Sequence, residues 1–246
     1  MEACTADLDK LEVFTRVSGY LVNETPLRVG VGREPPLGSP VDTAVLRIKF
    51  ADGRSYPYIP GSSLKGVLRS LAESILRAQG VDVPDPWPKK GGEGQEEELG
   101  IEETVEGEKK LDAISCIFGS LDIASHVRIY DAYPVGEPVL FVKTGVGINR
   151  DFLGAQPRVL YTEEQVAPGT RWSFRMDILN IEVFPQPKND LGKLLKNLVD
   201  LLANGFVQVG ARRTIGYGVV RLVEGKYEVY RLEGGVLKKT QEGGIP

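Results

Sequence analysis

Cysteine and histidine are almost missing from this chain. Its 246 residues hold two cysteines, Cys4 and Cys116, and one histidine, His126. They cannot build the usual Cys/His zinc site, which takes four ligands. Two cysteines far apart in sequence argue against a disulfide framework and fit a cytoplasmic protein. No apolar run approaches the ~20 residues a membrane-spanning helix needs. The opening MEACTAD is acidic and lacks the apolar centre of a secretory signal, so none is expected. A basic excess is missing too: the net charge is −4.

That charge is unevenly spread. Pro84 to Lys110 carries nine acids and four bases; without it the chain has 25 acids and 26 bases. The remainder is near neutral, so a local basic face is compatible with it. The acidic stretch, from DVPDPWPKKGG to EGQEEELGIEETVEGEKK, has few large apolar residues. It reads as a solvated insertion over 81–110, not core. With 41% hydrophobic residues, the whole has ample material for a core.

Periodicity gives the elements. LEVFTRVSGYLV (Leu11–Val22) alternates in part and predicts a strand. Asn23–Pro40 is a long Gly/Pro-rich loop, and loops of that length inside a domain are usually functional or disordered. VDTAVLRIKF and Ser55–Ile59 flank the turn residues Ala51-Asp52-Gly53-Arg54, a hairpin signal. From Ser62 the period changes: Leu64, Val67, Leu68, Leu71, Ile75 and Leu76 fall on one helical face, with Ser62 as the expected N-cap and an end near Gly80. A helical turn is expected at Leu111–Phe118, then strands at His126–Ala132 and Pro138–Lys143. Gly145–Pro168 is an excursion. Thr170–Phe184 predicts a long strand and Leu191–Asn204 an amphipathic helix closed by Gly205. Short strands follow at Phe206–Val209 and Val219–Val223, then a tail of hairpin character. Without its loops the order is βαββαβ. That is an α+β, ferredoxin-like arrangement, also used by RNA-recognition folds.

Two stretches can hold phosphate. YIPGSSLKGVLRS places Ser62, Ser63, Lys65 and Arg69 at the start of a helix, where free N–H groups favour an anion. It is not a Walker loop: Lys65 precedes Gly66 and no Ser or Thr follows it. The plain alternative is a capped helix with solvated cations. GARRTIGYG sets Arg212, Arg213 and Tyr217 among Gly210, Gly216 and Gly218, and glycines let a backbone approach a ligand closely. The alternative is a glycine-rich hairpin with exposed arginines. Asp42, Asp131 and Asp151 form no spaced carboxylate pair; each on its own reads as a turn or strand-edge residue. His126 is an acid–base candidate for RNA cleavage, or a structural histidine. Cys116 reads as core.

Three ordered pieces carry a resemblance: VDTAVLRIKFADGRSYPYIPGSSLKGVLRS, IFGSLDIASHVRIYDAYP and GARRTIGYGVVRL. Together they span Val41–Leu222. They resemble the RAMP superfamily of CRISPR-associated proteins, in particular the backbone subunits of type III (Csm/Cmr) effector complexes. The resemblance implies a single modified ferredoxin-like (RRM-like) RAMP domain over 1–246, with inserted loops and a thumb-like hairpin at 145–168. It implies partners: a guide CRISPR RNA, a single-stranded target RNA, other effector subunits, and copies of itself in a filament. Ser62, Ser63, Lys65, Arg69, Gly210, Arg212, Arg213, Gly216, Tyr217 and Gly218 are then the RNA-binding positions. It also implies target-RNA cleavage, with Asp42 as the catalytic aspartate and ligand of an RNA-dependent divalent metal, Mg²⁺ or Mn²⁺. A non-cleaving filament subunit, or a guide-processing endoribonuclease using His126, are the other readings. The acidic insertion would repel RNA, which places it outside the groove and toward a protein partner.

Overall fold

The computed structural model describes residues 8–30, 41–83, 101–103, 109–120 and 124–246. The elements run β1 (Val13–Asn23), β2 (Arg47–Lys49), β3 (Ser55–Pro57), α1 (Gly61–Ala78), β4 (Ile101–Glu103), β5 (Lys109–Leu111), α2 (Ala113–Phe118) and β6 (Val127–Ile129). They continue with β7 (Leu140–Ile148), β8 (Ala155–Val166), β9 (Arg171–Leu179), α3 (Asp190–Ala203), β10 (Val207–Gln208), β11 (Val219–Glu233) and β12 (Val236–Gly244). The fold is mixed α/β and mostly strand.

One antiparallel sheet organises the molecule, in the order β10-β11-β1-β9-β6, with β12 also paired to β11. Alternation along the two central strands sorts their faces. Val13, Thr15, Val17 and Leu21 of β1 and Trp172, Phe174, Met176 and Ile178 of β9 are buried. α1 and α3 cover that face. α1 buries Leu64, Leu68, Ala72 and Leu76, four positions one turn apart. α3 buries Leu191, Leu194, Leu195, Leu198, Val199 and Leu202, and the Asn189 Oδ1 caps it by accepting from the Gly192 N–H at 2.8 Å. Full burial of such side chains contributes about 1.5–3 kcal/mol each.

The opposite face of the sheet is polar. Asp177 of β9 lies on it yet is only 2% exposed, because neighbours close over its carboxylate. Arg175 donates at 2.6 Å, Arg16 at 3.0 Å and the Tyr130 hydroxyl at 3.0 Å. The Arg175 guanidinium lies 4.2 Å from the Tyr130 ring centroid.

Several expectations need correction. Ser62 is not the N-cap of α1; Pro60 is, and it gives no side-chain cap bond. Pro60 already ends the extended segment, so the helix starts at Gly61. The expected strand at Pro138–Lys143 and the excursion after it are one hairpin, β7–β8, paired from Leu140↔Val166 to Ile148↔Ala155 with a register shift between Val146 and Ile148. β9 ends at Leu179, and β11 runs ten residues beyond Val223, because β12 pairs with its second half. Cys116 is buried, as expected. Most of the acidic insertion, including 84–100 and 104–108, and part of the Gly/Pro loop, 31–40, lie outside the described residues; β4 and β5 pair antiparallel within the insertion. Among the described residues no helix is long and apolar enough to cross a membrane.

Candidate nucleic-acid interface

The start of α1 is positioned by backbone contact. Gly61 packs so closely on the end of β6 that a Cβ there would run into the Ile129 carbonyl oxygen. Its N–H donates to the Asp131 Oδ1 at 2.8 Å. Asp131, read in sequence as a strand-edge residue, thus supplies the cap that Ser62 does not. Ser62 is exposed and Ser63 half-buried. Lys65 is half-buried, and among the described residues no hydrogen bond or ion pair engages its ammonium. Burial and then the nearby Arg69 lower its pKa below the usual lysine value. Arg69 differs: it donates to Glu73 at 2.9 Å and to the Gly119 carbonyl at 3.0 Å, tying α1 to the end of α2.

The glycine-rich loop is equally specific. Gly210 and Gly218 have φ of +85° and +75°, and a Cβ on them would strike the carbonyl oxygens of Arg28 and Val209. Gly216 also has positive φ, +86°, but faces open space. Arg212 adopts φ +63° without being glycine. Its Nε and Nη2 donate to the Glu163 Oε1 at 3.0 and 2.8 Å, and its guanidinium lies 5.0 Å from the Tyr161 ring. Arg28 donates to the same Oε1 at 2.8 Å. Lys143 donates to the Tyr217 hydroxyl and sits over that ring, 5.1 Å from its centroid. The Tyr217 partnership raises the Lys143 pKa, so it stays charged. Arg213 is exposed.

Asp42 docks at the edge of β8 opposite β7. Its Oδ2 accepts from the Thr162 N–H at 2.6 Å and from the Thr162 hydroxyl at 3.0 Å. Those two bonds hold the carboxyl below the usual carboxylate range, so it is an anion at neutral pH. Thr43 bridges Glu163 in parallel, and Glu164 accepts from the Val45 N–H and from Arg47. Residues 162, 163 and 164 thus fasten the base of the β7–β8 hairpin to three different partners. Beyond that base, Val146, Leu160 and Ile148 are exposed along the hairpin, and Phe152 and Leu153 are exposed at its tip, Leu153 by 80%.

Backbone hydrogen bonds join these parts. Ala211 N–H donates to Arg28 O, Leu46 N–H to Val29 O, Tyr58 N–H to Leu46 O, and Ile59 pairs with Ala132. The glycine-rich loop, the segment after Asp42, and the lead-in to α1 are therefore neighbours in one ladder. Arg28, Lys143, Tyr161, Thr162 and Glu163 of this region were not legible as site residues. Their only sequence signal is alternation along β7 and β8, which puts Lys143, Tyr161 and Glu163 on one hairpin face.

Other candidates separate from the site. His126 is 1% exposed, its Nδ1 2.8 Å from the Cys116 carbonyl oxygen, the environment of a structural histidine. Asp151 lies in the hairpin tip, where its N–H donates to Asn149 Oδ1 at 2.8 Å. Among the described residues no three His, Cys, Asp or Glu side chains gather as a metal site. Among the described residues a metal here would have Asp42 as its one carboxylate ligand, with the Oδ2 engaged by Thr162.

The sequence matches the RAMP superfamily over residues 20–221, four-fifths of the chain. The chain belongs to that superfamily of CRISPR-associated proteins. The matched region contains Asp42, the start of α1, the β7–β8 hairpin and the glycine-rich loop, so all the geometry above lies inside it. No curated protein matches the sequence. Membership in the RAMP superfamily points to a CRISPR-associated, RNA-binding subunit.

Proposed function

We propose that this RAMP protein is a guide-RNA-binding backbone subunit of a type III effector complex that also cleaves target RNA at Asp42. The observation that carries the reading is the convergence at the base of the β7–β8 hairpin. Arg212 of the glycine-rich loop and Asp42 meet adjacent residues of one strand, Glu163 through its side chain and Thr162 at the strand edge. A guide backbone held on the loop side and a target strand reaching the Asp42 side would be divided by this hairpin. Its exposed apolar side chains suit contact with splayed bases or with the next subunit in a filament. The strand order β11-β1-β9-β6, with α1 and α3 on one face, supports the ferredoxin-like reading.

Phosphates would be held by Lys65 and the N–H groups and hydroxyls at Ser62 and Ser63, and by Arg212 and Arg213. Arg69 is committed to Glu73 and Gly119, so its part in this reading is to brace α1. At Asp42 the lowered pKa favours metal binding over proton acceptance, because a weaker base takes the 2′-hydroxyl proton less readily. A divalent ion such as Mg²⁺ or Mn²⁺, completed by RNA oxygens, would supply charge neutralisation at the scissile phosphate.

A non-cleaving filament subunit is the second reading. The bonds from Thr162 favour it, since they give Asp42 a structural duty at the hairpin base. A complex reconstituted with guide and complementary target separates the two. Asp42→Asn, which can still accept from Thr162, should bind both RNAs at wild-type affinity and not cut; Mg²⁺ chelation should stop the wild type. A wild-type complex that binds target and never cuts it selects the second reading.

A further inference from the structure

We propose that Glu163 is the positioning residue of the glycine-rich loop: from the hairpin base it orients the Arg212 guanidinium so that its remaining N–H groups point at the RNA backbone. This rests on the loop being an RNA-binding element.

The geometry argues for it in three steps. First, the Glu163 carboxylate is 5% exposed, and one of its oxygens takes all three arginine N–H groups: Arg28 Nη1 at 2.8 Å, Arg212 Nε at 3.0 Å and Arg212 Nη2 at 2.8 Å. Arg28 is nearly covered, whereas Arg212 is about one-third exposed. Arg28 therefore closes the inner side, and Arg212 keeps an exposed outer edge. Second, the Arg212 backbone is left-handed, a conformation that disfavours residues other than glycine. The Glu163 ion pair and the Tyr161 ring give that conformation its compensation. Third, the backbone of Glu163 is held from both edges of its strand. It is paired with Lys143 in the hairpin register, and its strand is bonded to Thr43 on the other side. An acid that merely stood in for phosphate in the empty protein would have to leave when RNA arrived; this one is built in. Three cations, Arg28, Lys143 and Arg212, stand around this one carboxylate. Unlike a plain structural salt bridge, this role predicts that Glu163 acts on RNA through Arg212.

A double-mutant cycle tests that. Labelled single-stranded guide RNA is titrated with full-length wild type, Glu163→Gln, Arg212→Ala and the double variant, across a salt series. Glu163→Gln should weaken binding about tenfold, and its salt slope should fall by about 0.7, one phosphate contact on a single strand. In the Arg212→Ala background the same change should cost less than about twofold. Glu163→Asp, which keeps the charge on a shorter arm, should fall between wild type and Gln, and serves if Glu163→Gln does not fold. An equal loss from Glu163→Gln in both backgrounds, or an unchanged salt slope, overturns the proposal while leaving the RNA-binding reading standing. If Arg212→Ala alone binds with wild-type affinity and slope, the reading of the loop fails and the proposal falls with it.

Discussion

The Asp131 carboxylate accepts a hydrogen bond from the Gly61 backbone N–H at 2.8 Å, so a strand-end aspartate caps the helix of the Ser-Ser-Leu-Lys motif. Two of the sequence pieces that carry the family resemblance, IPGSSLKG and RIYDAYP, are thereby explained by one contact. Pro60 has no donor and no polar side chain, and a side chain at Gly61 would hit β6, so the acceptor comes from elsewhere in the chain. Asp131→Ala should remove about 1 kcal/mol, which lowers Tm by roughly 2–4 °C for a chain of this size. Asp131→Asn retains an acceptor and should recover most of it. RNA affinity should not fall, because the lost group is an anion. An unchanged Tm in the Ala variant would show that the cap does not stabilise the helix.

The glycines of the loop should not be equivalent. Alanine at Gly218 meets both a left-handed φ and the Val209 carbonyl; alanine at Gly216 meets only the φ. Gly216→Ala should cost about 1–2 kcal/mol. Gly218→Ala should cost more than that, since backbone must also move. Thermal melts of the two variants side by side check this, and equal losses would mean that the loop relaxes around the added methyl group.

Acid stability should depend on Asp177. Burial pushes its pKa up, but hydrogen bonds from Arg175, Arg16 and Tyr130 more than offset that and leave it lowered. A lowered folded-state pKa adds stability that is complete above the unfolded value of about 3.9 and is lost as pH falls through the folded value. Asp177→Asn should therefore be less stable than wild type at neutral pH, with the gap narrowing below about pH 4. Urea denaturation across pH 7 to 3 reads this; a constant gap would remove the carboxylate from the acid transition.

Much of the fold was legible because its signals are local. Apolar positions one turn apart marked α1 and α3, alternation marked β1 and β9, and Asp52-Gly53 marked the β2–β3 turn. What failed to show depends on partners distant in sequence. Asp131 looked like a strand residue because its partner is 70 positions away. Glu163 carried no sequence signal of its own, because its partners Arg28 and Arg212 lie 135 and 49 positions away. Arg69 matched the pattern of a phosphate contact, yet its i+4 neighbour Glu73 and the Gly119 carbonyl take its donors. Glycines of the loop were recognisable as a type; which carbonyl each must clear was not.

The most direct test of the account is the salt dependence of guide-RNA binding by wild type, Lys65→Ala and Arg69→Ala. The half-buried Lys65 ammonium, without a hydrogen bond or ion pair among the described residues, is placed at the start of α1 to neutralise a phosphate, and phosphate contacts carry no sequence information. Lys65→Ala should bind every guide sequence more weakly, with a slope reduced by about 0.7 and an unchanged Tm. Arg69→Ala should keep the wild-type slope and melt lower, because it loses an ion pair and a carbonyl contact instead. A wild-type slope for Lys65→Ala would contradict the account and return the start of α1 to an ordinary helix end.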